Sequence, residues 1–262
     1  MQATPMQGQH VLITGAGTGI GLAIATRLAD EGAVVSLVAR DLARVEAVAA
    51  DLRATGATAR AWQADVRHSD QIQRAVDLAC AAHGALYACV ANAGIGGPNS
   101  PADPSGDRFA DLVATNLSGT YDTFRAAQRH LAAGPQPRHL LAVASILARI
   151  GVGGYTGYCA SKAGILGLVR ALAVELAPQN VQVNALCPGW VNTSMAREGL
   201  EGMARGMGVS LEEAHRIAMS AVPLGRMSEP QEVAGTVRWM LSADARGLTG
   251  QAVDLNHGAF MN

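Results

Sequence analysis

Lysine is almost missing from this chain: of twenty basic residues, nineteen are arginine and one is Lys162. Other absences exclude whole classes of function. Net charge is −1 with no block of like charge, so the basic footprint that nucleic acid or an anionic membrane requires is lacking. No apolar run reaches the roughly 18–20 residues of a membrane helix. The nearest approach, "HLLAVASILARIGVGG", is broken by Arg149. The opening "MQATPMQGQH" has no basic segment leading into an apolar one, so secretion is not expected. The four cysteines, Cys80, Cys89, Cys159 and Cys187, lack CxxC spacing and sit among small or apolar residues, as expected of reduced, buried thiols in a cytoplasmic protein. Seven histidines form no HxxH or HExxH pattern, and no metal site is expected.

What is present is apolar. Hydrophobic residues make up 49% of 262 and charged residues 16%, enough to bury a sizeable core. Short apolar runs alternate with longer helical patterns. "HVLIT" (10–14) reads as a strand, followed by a helix with Ile20, Ala23, Ile24 and Leu28 on one face. "AVVSLVA" (33–39) is a second strand, followed by a helix ending at Gly56. Residues 57–65 and 85–94 give strands three and four around a helix over about 69–83, and 138–145, 181–187 and 250–256 give three more. Strands that are near-continuously apolar predict a sheet covered on both faces. The alternation predicts one doubly wound, parallel α/β domain of Rossmann type over residues 1–262. Residues 190–228, rich in Gly, Met and Glu, read as an insertion in it.

Strand one runs into "TGAGTGIG" (14–21). Glycines in such a turn remove the Cβ atoms that would keep backbone amides and a helix N-terminus from a pyrophosphate. Gly15, Gly19 and Gly21 follow G-x-x-x-G-x-G rather than the commoner G-x-G-x-x-G. At the end of strand two, an acidic residue would bond the ribose 2′-hydroxyl of NAD, whereas an arginine accommodates the 2′-phosphate of NADP. This chain has Arg40 with Asp41 behind it. The guanidinium favours NADP(H); Asp41 either neutralises Arg40 or is itself a ribose ligand, which keeps NAD(H) open.

Tyr158 and Lys162 stand four apart in "YCASK" and share one face of a helix. A free phenol titrates near ~10. A neighbouring ammonium favours the phenolate, moving the group toward the range where acid–base catalysis works. A compact ammonium can also reach ribose hydroxyls, which a broad guanidinium does poorly. The lone lysine is therefore either required at this place or an accident of composition.

With "TGAGTGIG", "NAG" (92–94), "TNLSG" (115–119), "VAS" (143–145), "YCASK" (158–162) and "CPGWV" (187–191) in this order, the chain resembles the short-chain dehydrogenase/reductase family over essentially its whole length. The resemblance implies that Tyr158 is the acid or base at the substrate oxygen, and that Lys162 lowers its pKa and holds the nicotinamide ribose. It implies further that Ser145 hydrogen-bonds the substrate oxygen, and that Asn116 kinks its helix and holds a water connecting Lys162 to solvent. Tyr155 is a rival for the acid, better suited to packing or substrate contact. The implied cofactor contacts are Gly15, Thr18, Gly19, Ile20 and Gly21 at the phosphates, with Arg40 at the adenosine ribose and Asp65 and Val66 at the adenine. Asn92, Ala93 and Gly94 would pass beneath a ribose, and Pro188, Gly189, Val191 and Thr193 would meet the carboxamide.

The 190–228 segment takes the family's lid position and resembles the long lids of polyketide ketoreductases and of reductases acting on acyl thioesters or cyclic ketones. Its Met195, Met203, Met207 and Met219 suit either a hydrophobic ketone or simple packing. Arg125 and Arg129 are the only arginines suggesting a carrier-protein surface, or else a solvated helix face. His257 stands where relatives often have glycine, which puts the usual packing against a neighbouring subunit in question. The expected activity is a short-chain alcohol dehydrogenase or carbonyl reductase acting on a small-molecule ketone–alcohol pair, as a homotetramer or homodimer. Two other readings share the fold: a nucleotide-binding sensor or partner subunit without turnover, and an isomerase or epimerase using the nucleotide transiently.

Overall fold

The computed structural model describes residues 6–99 and 106–261. Seven strands, β1 (His10–Thr14), β2 (Val34–Ala39), β3 (Thr58–Gln63), β4 (Ala88–Ala91), β5 (Arg138–Val143), β6 (Val181–Pro188) and β7 (Ala252–Leu255), form one sheet in the order β3-β2-β1-β4-β5-β6-β7. Every pairing is parallel. Strand order reverses between β1 and β4, which lie side by side with Ile13 opposite Val90. The crevice beyond their carboxyl ends is where such sheets bind ligands.

The strands are apolar at successive positions because both faces are covered. Val11 and Ile13 of β1 point to one face, packing with Ile24 and Leu28 of α1 (Gly19–Asp30), Val45 of α2 (Leu42–Ala54) and Val237 of α9 (Pro230–Met240). Leu12, between them, points to the other, where it meets Ile72 of α3 (Ser69–His83), Phe124 of α5 (Gly119–Gln128) and Ile165 of α6 (Thr156–Leu176). The expectation fails at β3, whose "TARAWQ" alternates between exposed and buried. It is an edge strand, and arginines shield it: Arg53 donates to the Ala59 carbonyl (3.1 Å) and Arg60 stacks 4.5 Å from the Trp62 ring. The thiol expectation also holds only in part, since Cys89 and Cys187 are buried but Cys80 and Cys159 are half-buried.

Between α4 (Phe109–Val113) and α5 the chain makes a π-helical turn over Ala114–Ser118, with Asn116 at its centre. Beyond β6, α7 (Ser194–Met207) and α8 (Leu211–Ser220) occupy the segment expected to be a lid. No helix among the described residues is long and apolar enough to cross a membrane.

Two histidines sit at the amino ends of the strands, opposite the crevice. His10 is 3% exposed and bonds the Gly84 carbonyl (2.8 Å) through Nδ1 and the Ser36 hydroxyl (2.9 Å) through Nε2. A carbonyl can only accept, so Nδ1 carries the proton. His139 is 2% exposed and lies 3.0 Å from the Tyr87 hydroxyl, which donates to the Leu241 carbonyl. Burial pushes both imidazoles down to about 4, with His83 beside His10 and Arg138 beside His139 adding to the effect. The unfolded chain protonates these groups near 6.5 while the fold keeps them neutral down to about 4. Their contribution to stability is therefore level above pH 6.5 and falls as the pH drops from 6.5 toward 4, by on the order of 3 kcal/mol per histidine at most. Urea midpoints at pH 8, 6 and 5 should decline in that order, and His139→Gln should flatten the decline; equal midpoints at all three would refute the assignment.

Candidate active site

The glycine turn between β1 and α1 is shaped by contact with the end of β4. Gly15 has φ +68°, and a Cβ there would stand 2.8 Å from Ala93 Cα. A Cβ on Gly21 would overlap the Gly15 carbonyl. Asn92, expected beneath a ribose, uses its side chain on the turn: Nδ2 donates to the carbonyls of Thr14 (3.1 Å) and Gly15 (3.2 Å). The Thr14 hydroxyl accepts from the backbone of Asn92 and Ala93 in return. Thr18 makes no side-chain cap, and the first turn of α1, starting with Gly19 and Ile20, holds no acidic residue. Its amide donors are left for an anion. A cradle that any Cβ would fill, ending on an uncapped helix, fits the phosphates of a dinucleotide.

On one side of the turn lies the carboxyl end of β2. Asp41 caps α2, accepting from the Arg44 N–H at 3.0 Å, and its other oxygen is 3.5 Å from Arg44 Nε. Arg44, not Arg40, is thus its partner, and among the described residues Arg40 forms no ion pair. Sequence reasoning overlooked Arg44, which lies in the first turn of α2, four residues after Arg40. Its stem passes 3.5 Å from where a Gly17 Cβ would be, so it reaches the glycine turn as well. Asp65 is held by Arg67 through contacts of 2.7 to 3.2 Å, which lower its pKa. The Val66 side chain packs on Gly119.

On the other side, β6 ends at Pro188. Gly189 is pressed against Asn256, and Val191 is buried in the core. Thr193 caps α7, and its methyl faces Gly19 at 3.2 Å from a Cβ built there.

Between these walls stand the candidate reacting groups. Ser145 follows β5, is 7% exposed, and accepts from the Leu147 N–H at 3.1 Å. The Tyr158 phenol lies beside Ser145, whose hydroxyl favours its ionised form. Lys162, one turn further along α6, is 5% exposed and donates to the Val143 carbonyl (2.9 Å), its Nζ 5.7 Å from the Tyr158 ring centre. Asn116 is fully buried and brackets Ile95, accepting from its N–H (2.9 Å) and donating to its carbonyl (3.0 Å), while also donating to Ser161 (3.1 Å). That clamp sets Gly94 beside Lys162: a Cβ on Gly94 would be 3.1 Å from Asn116 Oδ1 and 3.5 Å from Nζ.

The expected electrostatics need correction. Burial is the largest influence on the Tyr158 pKa and raises it, opposed by the Ser145 hydroxyl. The ammonium is turned toward Val143, and burial brings its own pKa down to about 8. Desolvation outweighs the pairwise attraction that sequence spacing suggests.

The lid sorts its methionines. Met203 and Met219 join Leu200, Ala218, Val222, Trp190 and Met227 in a small core of their own. Met195 is 42% exposed and leans on Gly96, whose other neighbour is the Tyr158 ring. Arg125 is paired with Glu175 (2.6 Å) and Arg129 with Gln73 (2.7 Å), so both brace helices rather than offering a free basic surface. His257, at φ +54°, anchors the C-terminal segment to the end of the lid through the Arg226 carbonyl (3.0 Å) and Ser228 (3.3 Å). Among the described residues no group of three or more His, Cys, Asp or Glu could hold a metal ion.

Comparison with known proteins agrees with this geometry. The family model described as enoyl-(acyl carrier protein) reductase matches residues 15–259. A putative ketoacyl reductase of the monensin polyketide synthase from Streptomyces virginiae is 36% identical over 256 residues, 97% of this chain and 98% of that one. The 3-oxoacyl-acyl-carrier-protein reductase of Pseudomonas aeruginosa is 33% identical over 258 residues, 98% of this chain and 99% of that one. Among solved structures, a variant of the actinorhodin polyketide ketoreductase with NADPH superposes with a TM-score of 0.90 at 33% identity, covering 98% of this chain and 99% of that one. With its glycine turn, its switch-point crevice and its Ser145–Tyr158 pair, the chain belongs to the short-chain dehydrogenase/reductase family of oxidoreductases.

Proposed function

We propose that this protein is an NADP(H)-dependent reductase interconverting a ketone and a secondary alcohol, with a hydrophobic, cyclic or acyl-thioester substrate. The observation that carries the reading is the meeting of Ser145, Tyr158 and Lys162 at the carboxyl edge of the sheet, beside a glycine turn that leaves no room for Cβ atoms. When bound, the nicotinamide supplies a hydride to the carbonyl carbon or accepts one from the alcohol. Tyr158 gives its hydroxyl proton to the carbonyl oxygen as negative charge develops there, and takes it back in the reverse direction. Ser145 donates to the same oxygen and keeps it within reach of the phenol. Lys162, still largely an ammonium at neutral pH, stabilises the phenolate left behind and reaches the ribose beside Gly94. Asn116 holds the floor of the crevice through Ile95. Arg40 and Arg44, on either side of Asp41, support a 2′-phosphate as the adenosine substituent. The polyketide and acyl-carrier relatives support an extended β-keto substrate.

In a panel of ketones and alcohols assayed with NADPH and NADH, Tyr158→Phe should lower kcat by about 10²–10⁴-fold with NADPH binding intact. Turnover equal to wild type would sink the mechanism. Arg40→Ala and Arg44→Ala should each raise the KM for NADPH about 10–100-fold, since a charge-assisted bond is worth roughly 1.5–3 kcal/mol, and leave the KM for NADH nearly unchanged. Parallel losses for both cofactors would show that these arginines only shape the fold. Because Met195 is the lid methionine that faces Tyr158, Met195→Ala should shift kcat/KM toward bulkier ketones by roughly tenfold, one to two methylenes' worth of contact. Met203→Ala should instead cost stability, and thermal unfolding of the two variants separates the cases.

A further inference from the structure

We propose that Asn99 is a positioning residue that sets Tyr158 in place for proton transfer, an inference that rests on the catalytic reading above. Asn99 lies outside every motif in the chain and is 6% exposed. Its surroundings explain why a polar side chain is buried there. Helix α6 is preceded by Tyr155, which makes no side-chain cap. The N–H groups of its first turn need acceptors from elsewhere. The Gly157 N–H finds one in Asn99 Oδ1, 2.8 Å away in a buried bond. Asn99 Nδ2 donates to Asp107 Oδ1 (3.2 Å), which also accepts from the Phe109 N–H (3.0 Å) at the start of α4. The Asn99 backbone donates to the Gly154 carbonyl (2.9 Å). One amide therefore ties together the loop leaving β4, the start of α4 and the start of α6.

A second observation shows how little slack the first turn of α6 has. Gly157 is pressed against α4, where a Cβ would stand 3.1 Å from Phe109 Cα and 3.0 Å from Leu112 Cδ1. The next residue is Tyr158. The same loop is fastened to α6 at its other end, since Asn116 brackets Ile95 and donates to Ser161. The segment 95–99 is thus stapled to α6 at Gly157 and at Ser161, on either side of the tyrosine. Gly94 and Gly96, which face Lys162, Met195 and the Tyr158 ring, belong to this loop. Asn99 fixes the distance between the crevice floor and the proton donor, and reaction rates depend steeply on that distance: a misplacement of about 1 Å can cost about 10²-fold.

The experiment compares wild type, Asn99→Ala and the double variant Asn99→Asp with Asp107→Asn, which reverses donor and acceptor between the two side chains, keeps an acceptor for the Gly157 N–H, and gives up at most the bond from the Phe109 N–H. Each is assayed with one good ketone at a temperature where circular dichroism shows it folded, with NADPH affinity read separately by fluorescence. Asn99→Ala should lose about 10–100-fold in kcat with NADPH affinity within about twofold of wild type, and the exchange should restore kcat to within about threefold. Should Asn99→Ala not fold, Asn99→Ser takes its place, being too short to span the same gap. Lowered thermal stability with kcat within twofold of wild type would overturn the proposal, as would loss of kcat and NADPH affinity together without rescue by the exchange. The catalytic reading fails separately: an active Tyr158→Phe sinks both, whereas an inactive Tyr158→Phe beside a fully active Asn99→Ala sinks this inference alone.

Discussion

The backbone of Gly15 touches the backbone of Ala93, and the rest of the site is arranged around that contact. β1 and β4 are neighbours only because the sheet changes direction between them, so the loops leaving these two strands must share one small volume. No side chain fits between them. Gly15 adopts a left-handed conformation to make the approach, and the reciprocal bonds between Thr14 and Asn92 hold it. With the turn fixed, the amino end of α1 is aimed along the crevice and Gly94 is delivered to Lys162.

Within that frame, burial governs the chemistry more than pairing does. Tyr158 and Lys162 are perturbed mainly by losing water, in opposite directions: the phenol is pushed up and the ammonium down. Both shifts favour the neutral forms and move the two groups apart, the phenol above its ordinary 10 and the ammonium from 10.5 down to about 8, so a proton is harder to pass from Tyr158 to Lys162 than free-solution values imply. The Ser145 hydroxyl works against the shift on Tyr158 and favours the phenolate.

How much of this could be read beforehand follows from where each residue sits. β1 and α3 match their expected ranges residue for residue, because strands buried on two faces and a helix with a clean apolar stripe write themselves plainly into sequence. β3 broke the pattern because an edge strand has one solvated side. The candidate catalytic set was legible from motif order. What each side chain touches there was less so: Asn92 also holds the glycine turn, and Asp41, expected either to neutralise Arg40 or to meet a ribose, caps α2 and pairs with Arg44. The lid methionines share a helical spacing that suits core and crevice alike, and only packing separates Met195 from Met203 and Met219. Asn99 gave no signal at all, since its partner Gly157 is 58 residues away.

The lone lysine has a physical explanation in this site. Among the described residues no carboxylate pairs with Lys162, and its only bond is to the Val143 carbonyl. A charge buried at 5% exposure without a counter-ion is costly. An ammonium can meet that cost by giving up its proton, and here its pKa falls to about 8, leaving it charged at neutral pH by a small margin. Guanidinium has no such escape: it stays ionised, carries five donors, and would have a single carbonyl to satisfy them. Its breadth would also crowd Gly94, where a Cβ would stand 3.5 Å from Nζ. In a chain that writes nineteen positive charges as arginine, position 162 is the one where a cation must be both small and able to become neutral.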